Sequence, residues 1–140
     1  MAARFFVDTN VLVYAHDAGA GAKHEAARSL VERLWEERAG VLSTQVLQEF
    51  YVNVRRKALR PMPLDDVRQT IEDYLRWTVI VNDGGAIIRA MDLADRCGIS
   101  FWDGLIADAA NQAGAKILYS EDLNHGQEYG SVRVTNPFLT

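Results

Sequence analysis

Arg4-Phe5-Phe6-Val7-Asp8-Thr9-Asn10-Val11-Leu12-Val13-Tyr14-Ala15-His16 is the stretch from which the fold is read. Its first four residues make a short, bulky apolar run of the kind a sheet buries on both faces. Asp8 ends the run with a residue type that caps helices, and a helical pattern over 9–16 follows at once. The same succession recurs along the chain. Further strands are expected at Val41-Leu42, Thr78-Val79-Ile80-Val81, Lys116-Ile117-Leu118-Tyr119 and the alternating Ser131-Val132-Arg133-Val134. Helical patterns cover 22–38, 44–58, 64–76, 84–97 and 102–113, with Gly98 and Gly114 placed as C-terminal caps. Strands alternating with amphipathic helices predict an α/β fold, a three-layer α/β/α sandwich around a mostly parallel five-stranded sheet. In such sheets ligands bind outside the carboxyl ends of the strands, where strand order reverses, so the residues just after each strand carry the chemistry.

The remaining composition narrows the class. The 140 residues contain no repeat, low-complexity tract or Pro/Gly/Ser linker, so a single domain spanning 1–140 is expected. With 49% hydrophobic and 24% charged side chains, the chain fits a soluble globular domain. Fifteen Lys and Arg against 19 Asp and Glu give a net charge of −4, which excludes nucleic-acid binding by bulk basicity. The single Cys97 excludes a disulfide framework and a cysteine-only zinc site, and points to a reducing cytoplasm. No apolar run approaches the ~18 residues of a membrane span, and Met1–Asn10 lacks the form of a secretory signal.

Four acids stand where chemistry is expected. Asp8 follows the first strand, and Asp122 follows the fourth within Ser120-Glu121-Asp122-Leu123-Asn124. Asp103 opens a helix in Ser100-Phe101-Trp102-Asp103, and Glu49 lies on the helix after the second strand. Singly, each has a structural reading: Asp8 as a helix cap, Ser100 and Asp103 as a capping box, Asp122 in an Asx-turn, Glu49 as a solvated helix residue. Collectively they point elsewhere. Carboxylates about 4 Å apart repel by ~4 kcal/mol per pair at an effective dielectric near 20, so a cluster needs protons or a cation. Hard divalent ions take oxygen ligands of this kind.

The 44–58 helix adds a second clue. Val46, Leu47, Phe50, Val54 and Ala58 form its apolar stripe, while Glu49, Asn53, Arg56 and, if the helix continues, Arg60 align off it. An acid in line with two guanidiniums suits a metal site flanked by a phosphate backbone; the same arginines also complement a helix C-terminus.

These residues resemble a known family. Phe6-Val7-Asp8-Thr9-Asn10-Val11, Glu49 before Phe50-Tyr51, Ser100-Phe101-Trp102-Asp103 with Leu105-Ile106-Ala107, and Leu118-Tyr119-Ser120-Glu121-Asp122-Leu123 are similar to motifs of the PIN-domain nucleases, and within them of VapC-type toxins of toxin–antitoxin modules. The resemblance runs to Val134-Thr135-Asn136-Pro137-Phe138. It implies that Asp8, Asp103 and Asp122 bind metal, with Glu49 completing the catalytic quartet and Asn10 and Ser120 in support. Arg56 and Arg60 become candidates for contacting RNA. The implied activity is an endoribonuclease using Mg²⁺, with Mn²⁺ able to substitute, that hydrolyses RNA phosphodiesters with metal-activated water. The implied partners are RNA, a small antitoxin protein and a second copy of the chain, with operator DNA bound only through the antitoxin complex. The alternatives are a housekeeping PIN nuclease without an antitoxin, and a PIN module that binds without cutting. A haloacid-dehalogenase reading fails because the position two after Asp8 is Asn10 rather than an acid.

Other residues read as structural. Trp35, Trp77 and Trp102 are expected to pack, Cys97 to be inert and His125 to be peripheral. His16 and His24 have no partner at metal-ligand spacing. The amphipathic 22–38 segment suits either a core-facing helix or an antitoxin contact.

Overall fold

The computed structural model describes residues 3–56 and 60–139, so Ala58 of the expected helical stripe lies outside the described residues. In chain order the elements are β1 (Phe5–Val7), α1 (Thr9–Ala15), α2 (Ala22–Glu37), β2 (Gly40–Ser43), α3 (Thr44–Arg56), α4 (Leu64–Tyr74), β3 (Thr78–Ile80), α5 (Gly84–Cys97), α6 (Phe101–Gln112), β4 (Ile117–Tyr119), β5 (Glu128–Tyr129) and β6 (Val132–Thr135). The architecture is α/β with a mostly parallel sheet. Among the described residues that sheet has six strands, in the order β3-β2-β1-β4-β6-β5.

The sixth strand corrects the expectation of five. β5 is two residues long and antiparallel to β6, pairing Glu128 with Arg133 and Tyr129 with Val132. Two residues carry no periodicity to read; pairing across the turn at Gly130, which takes the left-handed conformation at φ 62°, defines them.

From β1 the chain steps outward through β2 to β3, then returns to lay β4 on the other side of β1. Strand order therefore reverses between β1 and β4. Right-handed crossovers place α1–α4 on one face of the sheet and α5–α6 on the other. Accordingly, α1 packs on α2 and α3, α3 on α4, and α5 on α6. Phe6, Val7, Val41, Leu42, Leu118 and Val134 are fully buried between these layers. Beside them Trp35, Tyr74 and Trp77 meet ring edge to ring face or tilted, with centroids 5.2–5.5 Å apart.

Helix α6 holds the second helical layer against the sheet, and residues Gly104–Ala110 are buried without a break. Its small residues let it sit close to α5: a Cβ on Gly104 would lie 2.7 Å from the Ala90 carbonyl oxygen. Arg89 of α5 then grips Asp108 of α6 through two hydrogen bonds, of 2.9 and 3.3 Å. The helix pair is thus set by a backbone approach and one bidentate ion pair.

The Gly104→Ala substitution forces this backbone contact apart. Overpacking of this kind costs about 1–3 kcal/mol, read as a lower urea midpoint at unchanged slope. An unchanged midpoint shows that α5 and α6 spread freely.

Candidate functional site

The sheet's reversal point gathers the first residues of the site. Asp8 directly follows β1, and its N–H donates to the Tyr119 carbonyl at the end of β4 (3.0 Å). One carboxylate oxygen, Oδ1, accepts the Thr9 N–H (2.7 Å), so Asp8 also caps α1. The other, Oδ2, accepts from the Ser120 hydroxyl (2.8 Å). That same hydroxyl oxygen accepts the N–H groups of Asp122 (3.2 Å) and Leu123 (3.3 Å). Ser120 is fully buried, so one hydroxyl joins the carboxylate after β1 to the loop after β4.

Helix α1 holds the loop from the other side, with Asn10 Nδ2 donating to Asp122 Oδ2 (3.1 Å). Thr9 Oγ1 donates to Glu49 Oε1 (3.3 Å), which brings α3's acid against the start of α1. Asp103 stands in the first turn of α6, where the Ser100 hydroxyl accepts its N–H (3.0 Å). The capping reading of Ser100 is therefore correct on the serine side.

Electrostatics tie three of these acids together. Asp8 is only 5% exposed. Burial pushes its carboxyl up from the ordinary 3.8 to about 7, against the hydrogen bonds from Ser120 and Thr9, and the charges of Asp122 and Asp103 push it further. Asp122, at the exposed rim, is also raised, first by partial desolvation and then by the charges of Glu121 and Asp103; Asn10 and Lys23 oppose this. Asp8, Asp103 and Asp122 thus lie in one negative neighbourhood. Among the described residues, no three His, Cys, Asp or Glu side chains already stand in metal-holding geometry.

The donor set fits a hard divalent cation. Every acid in the neighbourhood offers oxygen, and Asp8 carries a buried charge that two neutral donors compensate only in part. The histidines are engaged elsewhere: His16 Nε2 lies 2.6 Å from the Tyr74 hydroxyl, and His24 Nδ1 lies 2.9 Å from the Tyr14 carbonyl oxygen. His125 Nδ1 accepts the Asn136 N–H (3.0 Å), a bond from the loop after β4 to the segment after β6.

Several candidates lie differently from the sequence expectation. Arg56 ends the described part of α3, exposed and about two helical turns (~10 Å) beyond Glu49. Arg60 stands in a bend, not on the helix, so helical spacing does not align it with Glu49. Trp102 does not pack into the core: the residue is 64% exposed and its ring meets edge to face that of Phe101, which occupies the α5 contact instead. Sequence reasoning assigned no role to Thr9, Gln45, Tyr14, Lys23 or Glu121. Buried Gln45, in the first turn of α3, donates to the Trp102 carbonyl (3.2 Å) and so links the helices bearing Glu49 and Asp103. Tyr14 was within reach, lying one turn after Asn10 on the same face of α1.

A pH dependence follows from Asp8. Its proton is held more tightly in the folded chain than in the unfolded one, so its stabilising contribution is complete below about pH 4 and lost as pH rises through about 7. Metal-free protein therefore loses stability across this window, by at most about 4 kcal/mol from this group. Asp8→Asn flattens the profile in urea titrations at successive pH values; an equal slope in both proteins assigns it to other groups.

The PIN domain family matches residues 5–127 of the chain. No curated protein sequence matches. Among solved structures, the chain is similar to VapC20 of Mycobacterium tuberculosis, described as a sarcin–ricin loop cleaving toxin, at 21% identity and TM-score 0.66, over 83% of this chain and 88% of that one. It is similar to the DNA-bound VapBC of Salmonella typhimurium at 20% identity and TM-score 0.65, over 97% and 99% of the two chains. A toxin–antitoxin complex from Klebsiella pneumoniae superposes with TM-score 0.70 at 16% identity, over 98% of each chain. At these identities the likeness establishes a shared fold. With the match extending over 5–127 and the acids at the reversal point of the sheet, the chain belongs to the PIN domain family.

Proposed function

We propose that the protein is a metal-dependent endoribonuclease, the toxic component of a type II toxin–antitoxin module. The observation that carries the reading is the buried Asp8 carboxylate, joined to the Asp122 loop through Ser120 and raised first by its burial and then by the charges of Asp122 and Asp103. A charge held at that cost at a ligand-binding edge is accounted for by a cation. The fold likeness to toxin chains supports the module, with a small antitoxin as partner and operator DNA reached only through the complex. A homodimer and a reducing cytoplasm belong to the same reading.

Asp8, Asp103 and Asp122 hold Mg²⁺ or Mn²⁺, and Glu49, steadied by Thr9, orients the attacking water or a second ion. Bound there, the cation supplies Lewis acidity toward a phosphodiester and makes water more acidic. Ser120 and Asn10 fix the directions of the Asp8 and Asp122 carboxylates. Arg56, exposed at the end of the described part of α3, and Arg60, in the bend that follows, are the candidates for contacting the phosphate backbone. Attack by water requires no 2′-hydroxyl, so the products carry a 5′-phosphate and a 3′-hydroxyl.

Purified protein incubated with single-stranded RNA is expected to cut in Mg²⁺ or Mn²⁺ and to stop in EDTA. Asp8→Ala and Asp122→Ala fall to background, and Ser120→Ala, which disorients ligands without removing one, falls about 10–100-fold. Cutting by Asp8→Ala equal to that of the native chain, or recovery of 2′,3′-cyclic phosphate ends, refutes the mechanism. RNA binding without cutting in any metal leaves a binding module instead.

A further inference from the structure

The loop carrying Asp122 is gripped at two successive residues by one face of α1. Asn10 donates to Asp122 Oδ2 (3.1 Å), and Tyr14, one turn on, donates its hydroxyl to Glu121 Oε1 (2.9 Å). The second oxygen of Glu121 is also engaged: Lys23 Nζ, in the first turn of α2, lies 2.8 Å from Oε2. The same ammonium rests 5.0 Å from the centre of the Tyr14 ring and 5.5 Å from that of Phe138. Those two rings meet edge to face at 5.3 Å. Both oxygens of Glu121 are therefore engaged, one by a phenol and one by an ammonium that itself rests over two aromatic rings, and its side chain is only 15% exposed.

An ordinary surface ion pair contributes little. This one differs in geometry: both carboxylate oxygens are bound, and the residue so fixed directly precedes Asp122. Glu121 still lies close enough to Asp122 for its charge to raise that carboxyl, but Tyr14 and Lys23 fix its direction and offset its charge in part, so it acts as an anchor for the loop. Without the anchor, Ser120 and Asn10 alone hold the loop's acid in direction, and an uncompensated carboxylate stands beside it.

We propose that Tyr14 and Lys23 are positioning residues for Asp122, acting through Glu121, and that they raise the site's affinity for its divalent cation. This rests on the metal-dependent reading above. Partners one step removed from a ligand typically change metal affinity 10–100-fold. Tyr14 and Lys23 act one residue further out, so a loss of about tenfold is expected for each.

The test is direct Mn²⁺ binding, with free Mn²⁺ followed by electron paramagnetic resonance, on the full chain without RNA. Tyr14→Phe keeps the ring and removes only the hydroxyl, and Lys23→Met keeps the aliphatic stem over the two rings. Each is expected to weaken Mn²⁺ binding about tenfold while the metal-free protein melts within a few degrees of the native chain. In a Glu121→Ala background, Tyr14→Phe is expected to produce no further loss, because its target is gone. Unchanged Mn²⁺ affinity in Tyr14→Phe overturns the inference, and so does a full further loss in the Glu121→Ala background. If the native chain takes up no Mn²⁺, the metal reading itself fails and this one with it. If the native chain binds Mn²⁺ and Tyr14→Phe binds it equally, this inference alone fails.

Discussion

The structure turns on a carboxylate placed where water is nearly absent. Asp8 ends the central strand β1, is almost fully buried, and is met on one oxygen by the Thr9 N–H and on the other by the Ser120 hydroxyl. Two neutral donors offset only part of the desolvation of a charge, and the remainder appears as the raised carboxyl of Asp8. A core residue with no task is seldom an acid, because an apolar side chain of similar size at the same position avoids this cost. The position is kept electrostatically unfavourable, and the rest of the fold is arranged around it.

That arrangement uses the sheet's topology. Strand order reverses between β1 and β4, and the residues directly after these two strands are brought side by side at that edge of the sheet. Ser120 joins them through bonds to Asp8, Asp122 and Leu123. The other two candidate acids stand on helices. Glu49 of α3 is bonded to Thr9, and Asp103 stands in the capped first turn of α6. Gln45 ties the starts of those two helices together through the Trp102 carbonyl, so their acids are not independently placed.

Close backbone packing sets how precisely the acids can be held. Helix α6 reaches its place because Gly104 admits the Ala90 carbonyl and because Arg89 pairs with Asp108, one turn further along α6. Likewise, Gly40 at the start of β2 leaves room for the Trp77 ring, which a Cβ would meet at 2.3 Å. A side chain at either point displaces an element bearing a site residue or its support. Stability and the geometry of the acids are coupled through these contacts.

The sequence alone determined the succession of strands and helices, because buried parallel strands are unbroken apolar runs and their helices are long enough to show periodicity. It also marked Asp8, Glu49, Asp103 and Asp122, since each stands at a strand end or within a local motif. It did not show β5, whose two residues are a strand only by pairing with β6. The exposure of Trp102 was equally hidden: which of two adjacent aromatics, Phe101 or Trp102, faces α5 depends on the rotation of α6 against its neighbour. Nor did it align Arg60, whose relation to Glu49 required a helix continuing past Arg56, whereas Arg60 stands in a bend. Only the tertiary structure brought Ser120 under Asp8 and Lys23 to Glu121, residues 112 and 98 positions apart in the chain. Such contacts follow from strand order and helix docking, which side-chain patterning along a chain does not encode locally.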